Sequence, residues 1–225
     1  MAERVQFDWR GLKGVIFDVD GTLYDSKRMR RFMLLDLLRY FLARPQRCSE
    51  LRTLYEFRRQ REKNRSLLVS HLEREQYLWP AEKLGAAEEE VRRTVQKWIF
   101  DEPLRHLAVC RYRGVEEVFG ALRLRKVGIA VVSDYPAEQK LEALGVRADL
   151  ALCSTDSRIN RFKPDPTGLL LAAAMLGLKP NQVLAIGDRT ECDALAAERA
   201  GMPYRLVGKN PELFYTGLLT EVEML

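Results

Sequence analysis

A strand-like apolar run that ends in two acidic residues is the feature that most limits how this chain folds. Residues 15–25 read VIFDVDGTLYD, with Asp18 and Asp20 at the end of the run. Alternate residues of an extended chain point to the same side, so the two carboxylates lie close together and repel each other. Strands tolerate Asp poorly, and a bound divalent cation is the usual compensation for such a pair. The segment therefore predicts a cation site at the end of a buried strand.

Strand-like and helical segments alternate from about residue 113 onward. Four further apolar runs, VGIAVVSD, LALCS, QVLAIGD and YRLVG, are separated by amphipathic or alanine-rich helical segments. Continuous apolar strands that alternate with helices indicate a parallel sheet covered on both faces, and right-handed crossovers make it doubly wound. We therefore predict an α/β fold with a doubly wound parallel-sheet (Rossmann-like) core.

A long segment without strand character interrupts this pattern after the first strand. Residues 26–108 are rich in long and charged side chains, with apolar residues at three- and four-residue spacing. We interpret 26–108 as an inserted helical domain, and 1–25 together with 109–225 as the α/β catalytic core. Residues 27–65 hold thirteen Lys and Arg against four Asp and Glu, whereas the whole chain has a net charge of only +5. The basic character is local, so nucleic-acid binding by the whole molecule is not indicated.

Composition excludes several classes of protein. The 225 residues are 47% hydrophobic, which is enough for a buried core, yet no apolar run approaches the roughly 18 residues that span a membrane. The first ten residues, MAERVQFDWR, lack the apolar stretch of a signal peptide. The four cysteines are far apart and form no CxxC pair, which favours reduced thiols. We expect a soluble cytoplasmic protein with no membrane contact, either a monomer or a homodimer.

Polar residues follow several predicted strands at the point where each one ends. In an open α/β sheet, ligands bind beyond the carboxyl ends of the strands, near the switch in strand order. We therefore expect side chains from distant parts of the sequence to meet at one sheet edge. They are Asp18, Asp20, Ser133, Asp134 and Asp188, with Lys163 in the loop RFKPDPTG.

Four of these segments, in this order, resemble the motifs of the haloacid dehalogenase superfamily. They are FDVDGTLYD, VVSD, RFKPDP and IGDRTECD, and the resemblance covers nearly the whole chain. It is to the phosphatase branch that has a helical cap after the first motif, with phosphoglycolate phosphatase-like members. The resemblance implies a Mg²⁺-dependent phosphatase that acts on a small phosphorylated metabolite through an aspartyl-phosphate.

The same resemblance implies a role for each motif residue. Asp18 is the nucleophile, and Asp20 protonates the leaving alcohol and then activates water. Ser133 and Lys163 bind and neutralise the phosphoryl group. Mg²⁺ is held by Asp18, the Asp20 backbone carbonyl and Asp188, with Asp193 as a direct or water-mediated ligand. The implied substrate-binding set adds Thr22 and Asp134. Asp134 departs from the Asn that the family often has, and we expect its carboxylate to point away from phosphate, toward local backbone.

A stripe in the predicted cap suggests a further contact with substrate. Leu51, Leu54 and Tyr55 form an apolar stripe at helical spacing, which Arg58, Arg61 and Arg65 continue. If the stripe runs from the core of the cap to the active-site mouth, these arginines suit a carboxylate or second phosphate of the substrate. The alternative is a solvated basic face, with or without a macromolecular partner.

Other functions of the same fold remain open. A metal-free haloacid dehalogenase needs neither Asp20 nor Asp188, so the presence of both disfavours it. A phosphomutase needs a cap that holds a bisphosphate, and a phosphonate hydrolase needs a cap lysine, for which Lys63 and Lys83 are weak candidates. A non-catalytic protein that binds nucleic acid or an acidic partner through the basic segment is the alternative outside enzymes.

Overall fold

A five-stranded parallel sheet forms the centre of the structure, a computed structural model that describes residues 11–225. The strands are β1 (Gly14–Phe17), β2 (Gly128–Ser133), β3 (Leu150–Cys153), β4 (Val183–Gly187) and β5 (Tyr204–Leu206). Their order is β3-β2-β1-β4-β5, and every neighbouring pair is parallel. The predicted fold class is confirmed. The expectation for MAERVQFDWR, the first part of the predicted core, lies outside the described residues.

The strand order reverses at β1, which places the switch point beside its carboxyl end. β1 pairs with β2 on one side and with β4 on the other, so Phe17 lies opposite Val131 and Ile186. The pairing continues past the strand, where the Asp18 N–H donates to the Ile186 carbonyl at 2.8 Å. Asp18 therefore stands where ligands bind in open α/β sheets.

Six α-helices lie between β1 and β2, and the first five make up the helical insertion, residues 26–110. They are α1 (Ser26–Ala43), α2 (Ser49–Lys63), α3 (Leu72–Leu84), α4 (Glu88–Val95) and α5 (Leu104–Cys110), with a π-helical turn over Gln96–Asp101. Helical spacing predicts one helical stretch across α2 and α3, but the chain breaks between them. The last helix ends at Cys110, two residues beyond the predicted boundary. The division into core and inserted domain stays a prediction.

The chain leaves and re-enters the core at adjacent points. The Asp25 N–H donates to the Cys110 carbonyl at 2.9 Å, and the Tyr112 N–H donates to the Leu23 carbonyl at 3.1 Å. Asp25 also caps α1, because its carboxylate accepts from the N–H groups of Lys27 and Arg28. The helical insertion is thus attached directly after the motif that carries Asp18 and Asp20.

The remaining helices cover both faces of the sheet. They are α6 (Val115–Leu124), α7 (Glu138–Ala143), α8 (Thr167–Met175), α9 (Leu195–Ala200) and α10 (Pro211–Glu223). Alternate residues of β1 serve the two faces: Val15 and Phe17 belong to one apolar cluster, and Ile16 belongs to the other. A strand buried on both faces must be apolar at every position, which accounts for the unbroken run before Asp18.

Helix α10 is absent from the sequence-based expectations, yet it supports the site. The buried Tyr215 hydroxyl donates to the Thr22 carbonyl at 2.7 Å and so anchors the turn that follows β1.

In the part of the chain that the structure covers, no helix combines the length and apolar character needed to cross a bilayer.

Candidate active site

Asp18, Lys163 and Asp193 form a buried charged group at the switch point. The Lys163 ammonium donates to Asp18 Oδ1 at 2.5 Å and to Asp193 Oδ1 at 2.7 Å. Lys163 is only 4% exposed, and its attraction to these two carboxylates offsets the free-energy cost of burying its charge. They also hold its pKa above the ordinary value although burial opposes this. Lys163 is therefore a permanent cation beside the Asp18 carboxylate.

The second oxygen of Asp18 is also held. The Thr22 hydroxyl donates to Asp18 Oδ2 at 3.0 Å, and Thr22 is fully buried. Burial raises the pKa of Asp18 to about 7, with Lys163 opposing and the carboxylates of Asp193 and Asp20 adding to the rise. Thr22 thus orients Asp18, and its contact with substrate stays a prediction.

Asp188 brings an unsatisfied oxygen to the same place. Across residues 11–225, Asp188 Oδ1 is the one buried side-chain oxygen or nitrogen without a hydrogen-bond partner. Burial, together with the Asp193 carboxylate, raises the pKa of Asp188 to about 6. A buried, unpartnered carboxylate oxygen is costly unless something binds it. The observation points to a cation.

The surrounding residues fit a hard divalent cation. Ligand oxygens of Asp18, Asp188 and Asp193 all lie within 4.8 Å of one another. Gly21 has φ +95°, and a Cβ there would lie 2.3 Å from Asp188 Oδ2. Only glycine allows the turn after β1 to approach Asp188 this closely. An all-oxygen set of this kind suits Mg²⁺, which these residues could hold.

Asp193 closes the loop that carries Asp188. Its Oδ2 accepts from the N–H groups of Asp188 at 3.2 Å and Arg189 at 3.0 Å, while Oδ1 accepts from Lys163. Both oxygens are therefore engaged within the protein. This arrangement supports the cation site through loop geometry, and direct ligation by Asp193 stays a prediction.

Asp20 is held by one residue of its own motif, Tyr24, and by Lys140, which lies outside every motif. The Lys140 ammonium donates to Asp20 Oδ1 at 2.6 Å and Oδ2 at 2.8 Å, and the Tyr24 hydroxyl donates to Oδ1. Burial would raise the pKa of Asp20, but Lys140 and Tyr24 outweigh it and hold the pKa below its ordinary value. Asp20 is thus poised as a carboxylate, the form that accepts a proton.

Ser133 ends β2 with its hydroxyl available to a ligand. It is fully buried, and its Oγ accepts from the Tyr135 N–H at 3.2 Å. That contact uses the oxygen as an acceptor and leaves the hydroxyl proton to donate. The geometry suits a hydrogen bond to a phosphoryl oxygen, and that role stays a prediction.

Two arginines of α2 join the helical insertion to the core. Arg61 donates to the Asp134 carbonyl at 2.7 Å and to Gln76, and its guanidinium lies 4.3 Å from the Tyr135 ring centroid. Arg65 donates to the Lys163 carbonyl at 2.7 Å and to Asp134 Oδ2 at 2.8 Å. Both guanidinium groups are thus engaged by the protein itself, and a contact of Arg61 or Arg65 with substrate stays a prediction.

The apolar residues of the stripe on α2 differ in how much of each is exposed. Leu54 is buried, but Leu51 and Tyr55 are 42% and 63% exposed. Arg58 is exposed, and its side chain makes no hydrogen bond or ion pair with any other residue that the structure describes. The bulky side chains of α2 therefore divide between an inner and an outer face. Arg58 fits the alternative of a solvated basic face.

Asp134 anchors the contact between helix α2 and the core. Its Oδ1 accepts from the Ser154 hydroxyl at 2.7 Å and from the Lys163 N–H at 3.4 Å, while Oδ2 accepts from Arg65. Burial opposes its charge, but Lys163, Arg65 and Arg61 outweigh burial and hold the pKa of Asp134 at about 2. The carboxylate thus pairs with Arg65 of the helical insertion, and a contact of Asp134 with substrate stays a prediction.

Removing the Asp134 carboxylate should destabilise the protein. Asp134→Ala removes the buried carboxylate that pairs with the mostly buried Arg65 and leaves it only the exposed Glu62 as an acidic partner. Breaking a buried pair in this way typically costs about 3 kcal/mol of unfolding free energy. The lowered pKa means that this stabilisation is complete above pH 4 and is lost as the pH falls toward about 2. Urea unfolding of wild type and variant between these pH values measures both effects.

The matched control is Asp156→Ala, which breaks an exposed ion pair with Arg158. That pair has an Arg side chain that is 52% exposed, and its loss should cost about 1 kcal/mol or less. Two results would contradict the anchoring role of Asp134. One is an equally small loss of unfolding free energy in Asp134→Ala and Asp156→Ala, and the other is a loss in Asp134→Ala that does not become smaller as the pH falls.

Sequence reasoning missed Lys140 because no motif contains it. A signal is nevertheless present, since Ala137, Lys140, Leu141 and Leu144 follow the spacing of one helix face and all are buried. A lysine on the apolar face of a helix requires a buried partner. The sequence alone does not name that partner. Asp20, which is 120 residues away, became visible only in the structure.

Comparison with known proteins shows the family of this chain. A family model described as haloacid dehalogenase-like hydrolase matches residues 12–201. Phosphoglycolate phosphatase of Escherichia coli (strain K12) is 27% identical over 212 residues, covering 85% of this chain and 79% of the relative. N-acetylmuramic acid 6-phosphate phosphatase of Pseudomonas aeruginosa (strain PAO1) is 31% identical over 182 residues, covering 79% and 74%.

A solved structure extends the agreement to the overall fold. The 2-haloacid dehalogenase of Pseudomonas syringae pv. tomato DC3000 superposes with a TM-score of 0.60 at 22% identity, covering 86% of this chain and 85% of that chain. At this identity the likeness concerns the fold and not the substrate. The predicted family and the predicted enzyme class, a hydrolase, are confirmed. This chain belongs to the haloacid dehalogenase-like hydrolases.

Proposed function

We propose that this protein is a Mg²⁺-dependent phosphatase that hydrolyses a small phosphorylated metabolite through an aspartyl-phosphate at Asp18. The observation that carries the proposal is the unpartnered Asp188 oxygen beside an Asp18 carboxylate that is already paired with Lys163. Both named relatives are phosphatases, which supports the same reaction class.

In the first half of the reaction, an Asp18 oxygen bonds to phosphorus while the bond to the leaving oxygen breaks. Lys163 neutralises the charge that accumulates between the nucleophile and the phosphoryl oxygens. Ser133 donates a hydrogen bond to one of those oxygens. A protonated Asp20 gives its proton to the leaving alcohol.

In the second half, water attacks the phosphorus of the Asp18 ester. The Asp20 carboxylate accepts a proton from that water while the bond from the Asp18 oxygen to phosphorus breaks. Inorganic phosphate leaves, and Asp18 is again a carboxylate. Asp20 thus alternates between acid and base, and the contacts from Lys140 and Tyr24 favour its basic form.

Asp18, Asp188 and the Asp20 backbone carbonyl are the groups that would hold Mg²⁺, with Asp193 bracing their loop. When bound, Mg²⁺ would supply positive charge that stabilises the phosphoryl oxygens. A bound cation also favours the ionised forms of Asp18 and Asp188, whose pKa values are otherwise raised to about 7 and about 6.

The structure weakens the alternative functions. A metal-free dehalogenase needs no cation at this site, so that function does not explain the unpartnered Asp188 oxygen. Nucleic-acid binding by the basic segment is disfavoured because the guanidinium groups of Arg61 and Arg65 contact the core. We therefore infer a small phosphorylated substrate, with helices of the insertion acting as a cap.

The four unpaired cysteines, all within the described residues, support a cytoplasmic location.

Hydrolysis of p-nitrophenyl phosphate should require Mg²⁺ and stop when the metal is chelated. A panel of phosphorylated metabolites, assayed in parallel, would identify the natural leaving group. Full turnover in chelator, or release of halide from a 2-haloacid without metal, would contradict the proposal.

Mg²⁺ should also stabilise the protein without any substrate. At a hundredfold excess over its Kd, a ligand adds about 2.7 kcal/mol, which corresponds to a rise in Tm of roughly 5 to 10 °C. Protons compete for Asp18 and Asp188, so the rise should be larger at about pH 8 than at about pH 5. Asp188→Asn should remove most of it, and an unchanged rise in that variant would contradict this metal site.

A further inference from the structure

Lys140 makes a bidentate contact with the carboxylate of Asp20, the proposed acid and base of the reaction. Its ammonium lies 2.6 Å from Asp20 Oδ1 and 2.8 Å from Oδ2, and its side chain is 8% exposed against 30% for Asp20. We propose that Lys140 is a positioning residue that holds the Asp20 carboxylate in the orientation needed for acid–base chemistry. The inference rests on the proposed phosphatase function.

The contacts distinguish the two oxygens of Asp20. Oδ1 accepts from both Lys140 and the buried Tyr24 hydroxyl, so both of its lone pairs are used. Oδ2 accepts only from Lys140 among the described residues and keeps one lone pair. Oδ2 is therefore the oxygen that exchanges a proton with the leaving alcohol and, later, with water.

The surroundings of Lys140 make it a rigid support. It lies in α7, and its ammonium is 5.3 Å from the centroid of the Tyr135 ring. Across residues 11–225, Asp20 is the only carboxylate that pairs with it. Burying an ammonium is costly, and an apolar pair of similar size is often as stable. The pair therefore serves the orientation of Asp20 more than the stability of the fold.

Lys140 gains and loses no proton in this scheme. In the first half, the Oδ2 proton moves to the leaving oxygen as its bond to phosphorus breaks. In the second half, a water proton moves to Oδ2 as the water oxygen bonds to phosphorus and the Asp18 oxygen is released. Lys140 and Tyr24 keep Oδ1 fixed throughout, which keeps Oδ2 in place.

Decay of the phosphoenzyme separates this role from a contact with substrate. The leaving group has already departed at that stage, so a lysine that only binds substrate has no effect on the decay rate. p-Nitrophenyl phosphate is the suitable donor, because its leaving group needs little protonation. The donor carries a labelled phosphoryl group. The enzyme is mixed rapidly with it and quenched at successive times, and the label that remains on Asp18 gives the decay rate of the phosphoenzyme.

Lys140→Met should slow the decay of the phosphoenzyme about 100-fold, as a small misplacement of a catalytic group does. Lys140→Arg keeps a cation with several donors and should recover much of the rate. Lys209→Met, which removes an exposed lysine, is the matched control and should leave the rate unchanged. In an Asp20→Asn background, Lys140→Met should cause little further loss, because the two residues act as one unit.

Three outcomes would overturn the inference: an unchanged decay rate in Lys140→Met, an undiminished further loss in the Asp20→Asn background, or an Asp20 carboxylate that keeps its position in a crystal structure of Lys140→Met. That crystal structure needs no turnover, so it tests positioning even if the wild type is inactive. Failure of wild type to form any phosphoenzyme at Asp18 would instead contradict the proposed function.

Discussion

Replacing Asp18 by Asn should abolish phosphatase turnover and leave the fold intact. Loss of a nucleophile typically lowers turnover about 10⁴- to 10⁶-fold. The neutral amide oxygen is a far weaker nucleophile than the carboxylate oxygen, so the phosphoenzyme should not form. The measurements are kcat with p-nitrophenyl phosphate and Mg²⁺, and retention of label on the protein after rapid quench.

The local contacts explain why Asp18→Asn should still fold. The amide oxygen can accept from Lys163 in place of Oδ1. The amide nitrogen can donate to the Thr22 hydroxyl, which accepts as readily as it donates. Asp101→Asn is the matched control, since it makes the same chemical change at an exposed position. Appreciable turnover in Asp18→Asn would refute the aspartyl-phosphate mechanism.

Replacing Lys163 by Met should damage both activity and stability. Removal of the ammonium leaves Asp18 and Asp193 without their shared cation in a buried place, which should cost about 3 to 5 kcal/mol of unfolding free energy. It also removes the charge that neutralises the phosphoryl group, which should lower kcat at least about 10²- to 10³-fold. Urea unfolding and steady-state kinetics measure the two losses.

A double variant tests the origin of the stability loss. In an Asp18→Asn background only one of the two carboxylates remains, so Lys163→Met should be less destabilising than in the wild type. Lys163→Arg keeps the charge but not the size of the group, and it should recover stability better than turnover. An equal loss in both backgrounds would show that the aliphatic chain of Lys163, and not its charge, supports the fold.

The sequence by itself determined the sheet and the acidic residues at its edge. Strands buried on both faces must be apolar throughout, so they are visible as unbroken runs, and the polar residue that ends each run is visible too. Asp18, Asp20 and Asp188 are found in this way because parallel strands bring their carboxyl ends to one edge. Their meeting at one edge of the sheet follows from local pattern and general topology, whereas their individual roles rest on the resemblance of the motifs to a known family.

Only the tertiary structure decided which side chains complete the site. Lys140 and Asp20 are 120 residues apart, and Arg65 and Asp134 are 69 apart. Helical spacing shows which residues share a face of α2, but it does not say whether that face meets solvent, substrate or core. Arg61 and Arg65 meet the core, and Arg58 is exposed. An ion pair between distant elements depends on how these elements pack, and no local pattern encodes that packing.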